Sequence, residues 1–294
     1  MNMLFRWLCM TNPGAIAQAH YPPTRRRGDG LEAIILGGMP RSRMTLLAQL
    51  YDWEHDSFEE DLDLYTALAK RTGGPVLEIA CGSGRVLERL AGAGLDVVGL
   101  DRSPEMLARA QTRLDGSSCP VELVHGDLNG DLPRGPFGLI VLALDAFGLA
   151  PGIDHQVALL RRARDALRPR GAMVIDLTHA PALLEGARGV PVLQRSEESE
   201  EIGAHVTKWV VREVFPSTQE LELRCFYDLV RSGGALVRLH ETVRLRYFCR
   251  YEVELLLAAA GLEIEGIFGD YGLGPLRDES ERMIVVGRGG GDSP

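Results

Sequence analysis

Glu78, Gly82, Gly84 and Asp101 are the residues of this 294-residue chain whose types and spacing could do chemistry, and that chemistry is the holding of a nucleoside. Two glycines one residue apart, in Ala80-Cys81-Gly82-Ser83-Gly84, let a backbone approach a ligand closely. A helix that follows such a loop offers the ligand unpaired N–H groups. Asp101 lies 17 positions beyond Gly84 and could accept both hydroxyls of a ribose; the usual separation is roughly 20. A dinucleotide fingerprint needs a further glycine where Leu87 stands, and the phosphate-cradling G-x-x-x-x-G-K-[ST] is absent. Glu78, just ahead of the loop, would repel a pyrophosphate but suits a ligand with an amino group or a cationic centre.

A strand, a loop, a helix and a second strand are needed to position these groups. Residues 76–80 form a short apolar run of the kind a buried parallel strand needs. Residues 85–93 put Val86, Leu87 and Leu90 on one side of a helix. A second apolar run, residues 95–100, ends at Asp101. Together they make half of a nucleotide-binding βαβ unit. A third apolar run, residues 121–124, precedes His125-Gly126-Asp127-Leu128.

This pattern resembles the first motif of the class I S-adenosylmethionine-dependent methyltransferases, (D/E)-x-G-x-G-x-G, with Ala80 in place of the first glycine. Alanine fits there only if the position keeps φ negative. His125-Gly126-Asp127-Leu128 is similar to the family's G-D-[LA] segment. The resemblance runs over residues 46–288 and implies S-adenosyl-L-methionine as cofactor. It implies Glu78, Ala80, Gly82, Gly84, Asp101, Arg102, Asp127 and Leu128 as cofactor-binding residues, with Asp101 on the ribose and Asp127 on the adenine amino group. It matches residues 139–144, 173–177, 262–268 and 283–287 to the fourth to seventh strands. The short loop before the last of these suits a hairpin, which makes the seventh strand antiparallel. The expected fold class is α/β: a Rossmann-like, seven-stranded, mostly parallel sheet flanked by helices.

Two residues are candidates for catalysis. In many small-molecule members of the family a Tyr-Asp pair folds over the methyl donor, and Tyr51-Asp52 resembles it. Tyr51 therefore stands near the donor, or else plugs the space beneath the helix read over residues 58–70. Asp145 follows the fourth strand, at the end of the sheet where open α/β folds bind ligands. Its carboxylate could attract an ammonium substrate or take its proton, or merely orient a turn. His179, beyond the fifth strand, is a weaker candidate base. Cys81 reads as a small packed residue, and the run Arg161-Arg162-Ala163-Arg164 as a solvated helix face.

The rest of the chain bounds the setting. Five cysteines with no C-x-x-C pair point to a reduced, cytoplasmic protein without a metal site. No apolar stretch approaches the ~20 residues of a membrane span. The formal charge is −9, of which residues 1–43 carry +4, so the body is acidic and a poor match for nucleic acid. Residues 1–43, with Pro13, Pro22, Pro23 and Pro40 and no periodicity, read as a disordered tail. The core occupies residues 44–187 and resumes at 249–294. Residues 188–248 are the addition between them. The acidic run Glu197 to Glu201 reads as a solvated loop, and three strand-like stretches follow at 205–215, 221–231 and 236–248. This small antiparallel sheet resembles the lid of glycine- and sugar-amine N-methyltransferases, or else forms a homodimer surface. Methyl transfer to a small-molecule acceptor is expected, with nitrogen slightly favoured over oxygen. A nicotinamide-dependent oxidoreductase, which Leu87 and Glu78 oppose, and a non-catalytic donor-binding module are the competing readings.

Overall fold

The computed structural model describes residues 43–185 and 187–289. Strands β1 (Val76–Ile79), β2 (Val97–Asp101) and β4 (Phe137–Leu142) are buried over their whole length, as continuous apolar runs between two helical layers must be. With β3 (Val121–His125), β5 (Leu167–Thr178), β10 (Leu262–Phe268) and β11 (Arg282–Gly289) they form one sheet in the order β10-β11-β5-β4-β1-β2-β3. β11 runs antiparallel to both β5 and β10, and the other pairings are parallel. The expected seven-stranded architecture with an antiparallel last strand is present.

Alternation along each strand builds a core on either face. Leu77, Ile79, Ile140, Leu142 and Ile175 pack against α5 (Gly152–Ala166) and α7 (Arg250–Ala260), through Leu159, Leu160, Val253 and Leu257. Val76, Leu139, Val141 and Val174 face α2 (Leu62–Thr72), α3 (Arg85–Gly92) and α4 (Pro104–Leu114), through Tyr65, Leu68, Leu87, Leu90 and Leu114. β1 hydrogen-bonds β2 on one side and β4 on the other. The connections leaving β1 and β4 therefore diverge at the carboxyl ends of these strands, which opens a crevice beside the loop after β1.

A second sheet, in the order β6-β7-β8-β9, has four antiparallel strands rather than three. β7 (Ala204–Phe215), β8 (Glu220–Val230) and β9 (Leu236–Arg246) match the alternating stretches. β6 (Pro191–Ser199) is the correction: Glu197 and Glu198 finish an edge strand, paired to Val206 and His205, and only Glu200 and Glu201 turn the chain. Charged side chains on an exposed edge strand hide its period. The inner face of this sheet packs on Leu46 and Leu50 of α1 (Arg43–His55) and on Ala180 and Leu183 of α6 (Ala180–Leu184).

α1 is a second correction, because it places Tyr51 inside a helix rather than ahead of the first one. Gln49, Asp52 and Glu54 are buried on it beside Leu46 and Leu50, so no purely apolar stripe advertises the helix. The next helix begins at Leu62 rather than at residue 58. The tail assigned to residues 1–43 lies outside the described residues except for Arg43, which opens α1. Among the described residues no helix is long and apolar enough to cross a membrane.

Candidate donor and acceptor site

The loop after β1 turns on three left-handed residues, Ala80 (φ 60°), Gly82 (φ 55°) and Gly84 (φ 83°). The expectation of a negative φ at Ala80 is therefore overturned: the loop keeps the conformation that glycine favours and alanine bears its cost. Ala80→Gly should raise the unfolding free energy by about 0.5–1 kcal/mol. Urea titration reads this directly, and a lowered midpoint would show that Ala80 carries no such strain. Cys81 is buried, and burial pushes its thiol pKa up, so it has no reactive thiolate. A Cβ on Gly99 would come within 2.8 Å of its sulfur, which is the packing constraint that demands small residues here.

Asp101 reaches the same loop from β2. Its Oδ2 accepts the Gly82 N–H at 2.9 Å and its Oδ1 the Ser103 N–H at 2.8 Å. Each carboxylate oxygen keeps a second lone pair for a ligand hydroxyl. Ser103 then caps α4 by accepting the Met106 N–H. Arg102 is exposed, and its carbonyl accepts from His125 at 3.0 Å. Asp127 is exposed at the exit of β3 and accepts from Asn129 N and Nδ2, while Leu128 is buried. The carbonyls of Leu128 and Asn129 are gripped by Arg162 at 2.9 and 2.7 Å. The arginine run is thus more than a solvated face: Arg161 and Arg164 bind the carbonyls of Ala259 and Ala260 at the end of α7.

Glu78 is 3% exposed, and burial raises its pKa well above the ordinary carboxyl range, with Arg85 opposing. Its Oε2 and the hydroxyl of Ser83 are buried with no partner in the protein. A cationic amino group at the loop would satisfy the one, and a polar ligand atom the other. These residues fit S-adenosylmethionine: Glu78 and the glycine loop would meet its amino-acid portion, Asp101 its ribose, and Asp127 with Leu128 its adenine. Tyr51 joins them from α1, since a Cβ on Gly82 would lie 3.5 Å from its Cε1 and hydroxyl. Burial pushes the phenol's pKa up and keeps it protonated, so Tyr51 can donate a hydrogen bond but is no base.

The wall beside Tyr51 holds residues that sequence reasoning missed. Arg85 opens α3 and grips Asp61 through two bonds of 2.6 and 2.7 Å, with a third to the Phe58 carbonyl at 2.6 Å. Burial works against the guanidinium charge, and Asp61 more than offsets it. α1 is fastened to α4 by Arg109, which pairs with Asp52 and with Glu201 in the β6–β7 turn, and by Arg113, which lies 3.6 Å from Asp52 and pairs at 2.6 Å with Asp56 just past the helix end.

Asp145 is held by a separate network. Leu144 and Asp145 both adopt left-handed backbone, at φ 47° and 64°. The Asp145 carboxylate accepts from Thr178 N and Oγ1, each at 2.6 Å, and from Arg282 at 3.4 Å. Behind it Asp176, fully buried, accepts from Arg282 through Oδ1 and from Tyr65, Tyr271 and the Leu144 N–H through Oδ2. His179 bonds the Ser280 carbonyl at 3.0 Å and so belongs to the β10–β11 connection. A concave surface lined by Glu60, Tyr271, Arg277 and Arg282 adjoins this network.

Residues 76–171 match the family model described as "Methyltransferase domain". Over 215 residues the chain is 30% identical to the cypemycin N-terminal methyltransferase of Streptomyces sp, covering 73% of this chain and 82% of that one. It is 27% identical over 230 residues to the dTDP-3-amino-3,6-dideoxy-alpha-D-glucopyranose N,N-dimethyltransferase of Streptomyces fradiae, covering 74% and 84%. In fold it is similar to the CcbJ methyltransferase of Streptomyces caelestis, with a TM-score of 0.72 at 23% identity, covering 83% of this chain and 96% of that one.

Proposed function

The chain belongs to the class I S-adenosylmethionine-dependent methyltransferases, and we propose that it moves the methyl group to an amine nitrogen of a small-molecule acceptor. The observation that carries the choice of nitrogen is that one sequence relative above is named an N,N-dimethyltransferase of an amino sugar nucleotide, and the other a methyltransferase of a chain N-terminus. The side chains favour it too. A hydroxyl acceptor needs a base, whereas an amine needs only to arrive neutral. Tyr51 is a protonated phenol, and both oxygens of Asp145 already accept hydrogen bonds from Thr178, with Arg282 beside one of them.

S-adenosylmethionine supplies a methyl group already activated by its sulfonium, so alignment and exclusion of water are the protein's tasks. Asp101 and the glycine loop orient the donor from below. In this reading the Tyr51 ring walls the donor over the glycine loop and, with Asp145, borders the acceptor, and the sheet of residues 188–248, packed on α1 and α6, covers the chamber as a lid.

A donor carrying a deuterated methyl group, offered with amines and with the alcohols that differ from them only in the heteroatom, tests the proposal. Label is expected on the amines, and label confined to alcohols would refute it. With an amine in hand, Tyr51→Phe and Asp145→Asn should each lower turnover by about tenfold while donor affinity stays within about tenfold, because the phenylalanine keeps the ring over the glycine loop and Asp145 lies outside the donor's contacts. Wild-type turnover in both variants would place the acceptor elsewhere.

A further inference from the structure

The last turn of α1 faces two ways. Toward the core, Tyr51 lies over Gly82. One turn later His55 stacks on the Tyr51 ring, with centroids 4.1 Å apart and planes 22° from parallel. Its Nδ1 is 2.8 Å from the Tyr51 carbonyl oxygen. A carbonyl only accepts, so Nδ1 carries the hydrogen and the neutral ring keeps its lone pair on Nε2. Burial pushes the imidazole pKa down, against the pull of Glu54, so the ring beside Tyr51 is uncharged at neutral pH.

Toward the inserted sheet, Glu54 accepts from Lys208 Nζ at 2.7 Å, and both side chains are buried. Lys208 stands on the inner face of β7 with its Nζ 5.3 Å from the Tyr227 ring. Separating such a pair would leave an uncompensated buried charge, so the turn is pinned to the sheet. His55 sits between the two anchors, in ring contact with Tyr51, which reaches the glycine loop.

We propose that His55 is a positioning residue for the methyl donor, acting through Tyr51: its imidazole fixes the tyrosine ring against the glycine loop. The proposal rests on the reading of Tyr51 as part of the donor wall. A flat ring at position 55 restrains Tyr51 by stacking, and the bond to the backbone carbonyl holds that ring in register.

Titrating the full chain with S-adenosylmethionine in a calorimeter, in a double-mutant cycle, tests it. His55→Leu should weaken binding about three- to tenfold, and His55→Phe, which restores a flat ring, should recover affinity to within about twofold. In a Tyr51→Ala background the same His55→Leu change should have no further effect, because its only route to the donor is gone. His55→Gln, which keeps a donor for the carbonyl but no flat ring, replaces the leucine variant if that one does not fold. Equal losses in both backgrounds would overturn the proposal, since a merely structural histidine gives that result. Unchanged affinity in Tyr51→Ala alone would overturn the reading of Tyr51, and the proposal with it.

Discussion

Asp176→Ala is expected to lower the unfolding free energy by about 3–5 kcal/mol, because it leaves the guanidinium of Arg282 in the interior without its closest partner. Asp176 and Arg282 are both almost fully buried, and Arg282 also donates to Thr178 at 2.8 Å. The variant would strip acceptors from Tyr65, Tyr271 and the Leu144 N–H at once. Those bonds hold the β4 exit, where Leu144 and Asp145 occupy two consecutive left-handed positions that cost free energy to maintain. Urea titration followed by far-ultraviolet circular dichroism measures the loss. A change below about 1 kcal/mol would mean that the network contributes little to the fold. Asp176→Asn, which keeps acceptor capacity but loses the charge, should fall between the wild type and alanine.

The loop after β1 and the carboxylate that faces it were legible in the sequence because each signal is local. An apolar run, two glycines, a helical repeat and a terminal acid all lie between Val76 and Asp101, and their spacing alone implies a glycine loop facing a carboxylate. Strands β7 to β9 of the inserted sheet were legible for the same reason, as where Val243 and Leu245 alternate with Arg244 and Arg246 in β9. The illegible features depend on partners far along the chain. Asp176 lies in an apolar strand, 106 positions from Arg282. Glu54 and Lys208 are 154 positions apart, and neither spacing nor composition joins them. α1 was obscured by the same long-range pairing, because the buried acids that interrupt its apolar pattern are satisfied by α4 and by the inserted sheet. Ala80 misled in the opposite sense. Its residue type argues for negative φ, while its neighbours in the loop impose the left-handed turn.

Asp101→Ala is expected to weaken S-adenosylmethionine binding by about 1.5–3 kcal/mol, the range for losing hydrogen bonds to a charged group. Asp101 is 9% exposed, so the hydroxyls it would meet are largely out of water and the loss is not made good by solvent. It also orders the loop, since its Oδ2 holds the Gly82 N–H, so the variant loses preorganisation as well as contact. Because the β2–α4 junction is additionally held by the Ser103 cap, the fold should survive the change.

The measurement that bears most directly on the donor site is therefore a pair of calorimetric titrations with S-adenosylmethionine, on the wild-type chain and on Asp101→Ala, with melting curves taken on both. Saturable one-site binding to the wild type, weakened about 10- to 150-fold in the variant at a closely similar melting temperature, is the predicted result. Equal affinity in the two folded proteins would contradict the assignment of the glycine loop and Asp101 as the place where the donor is held.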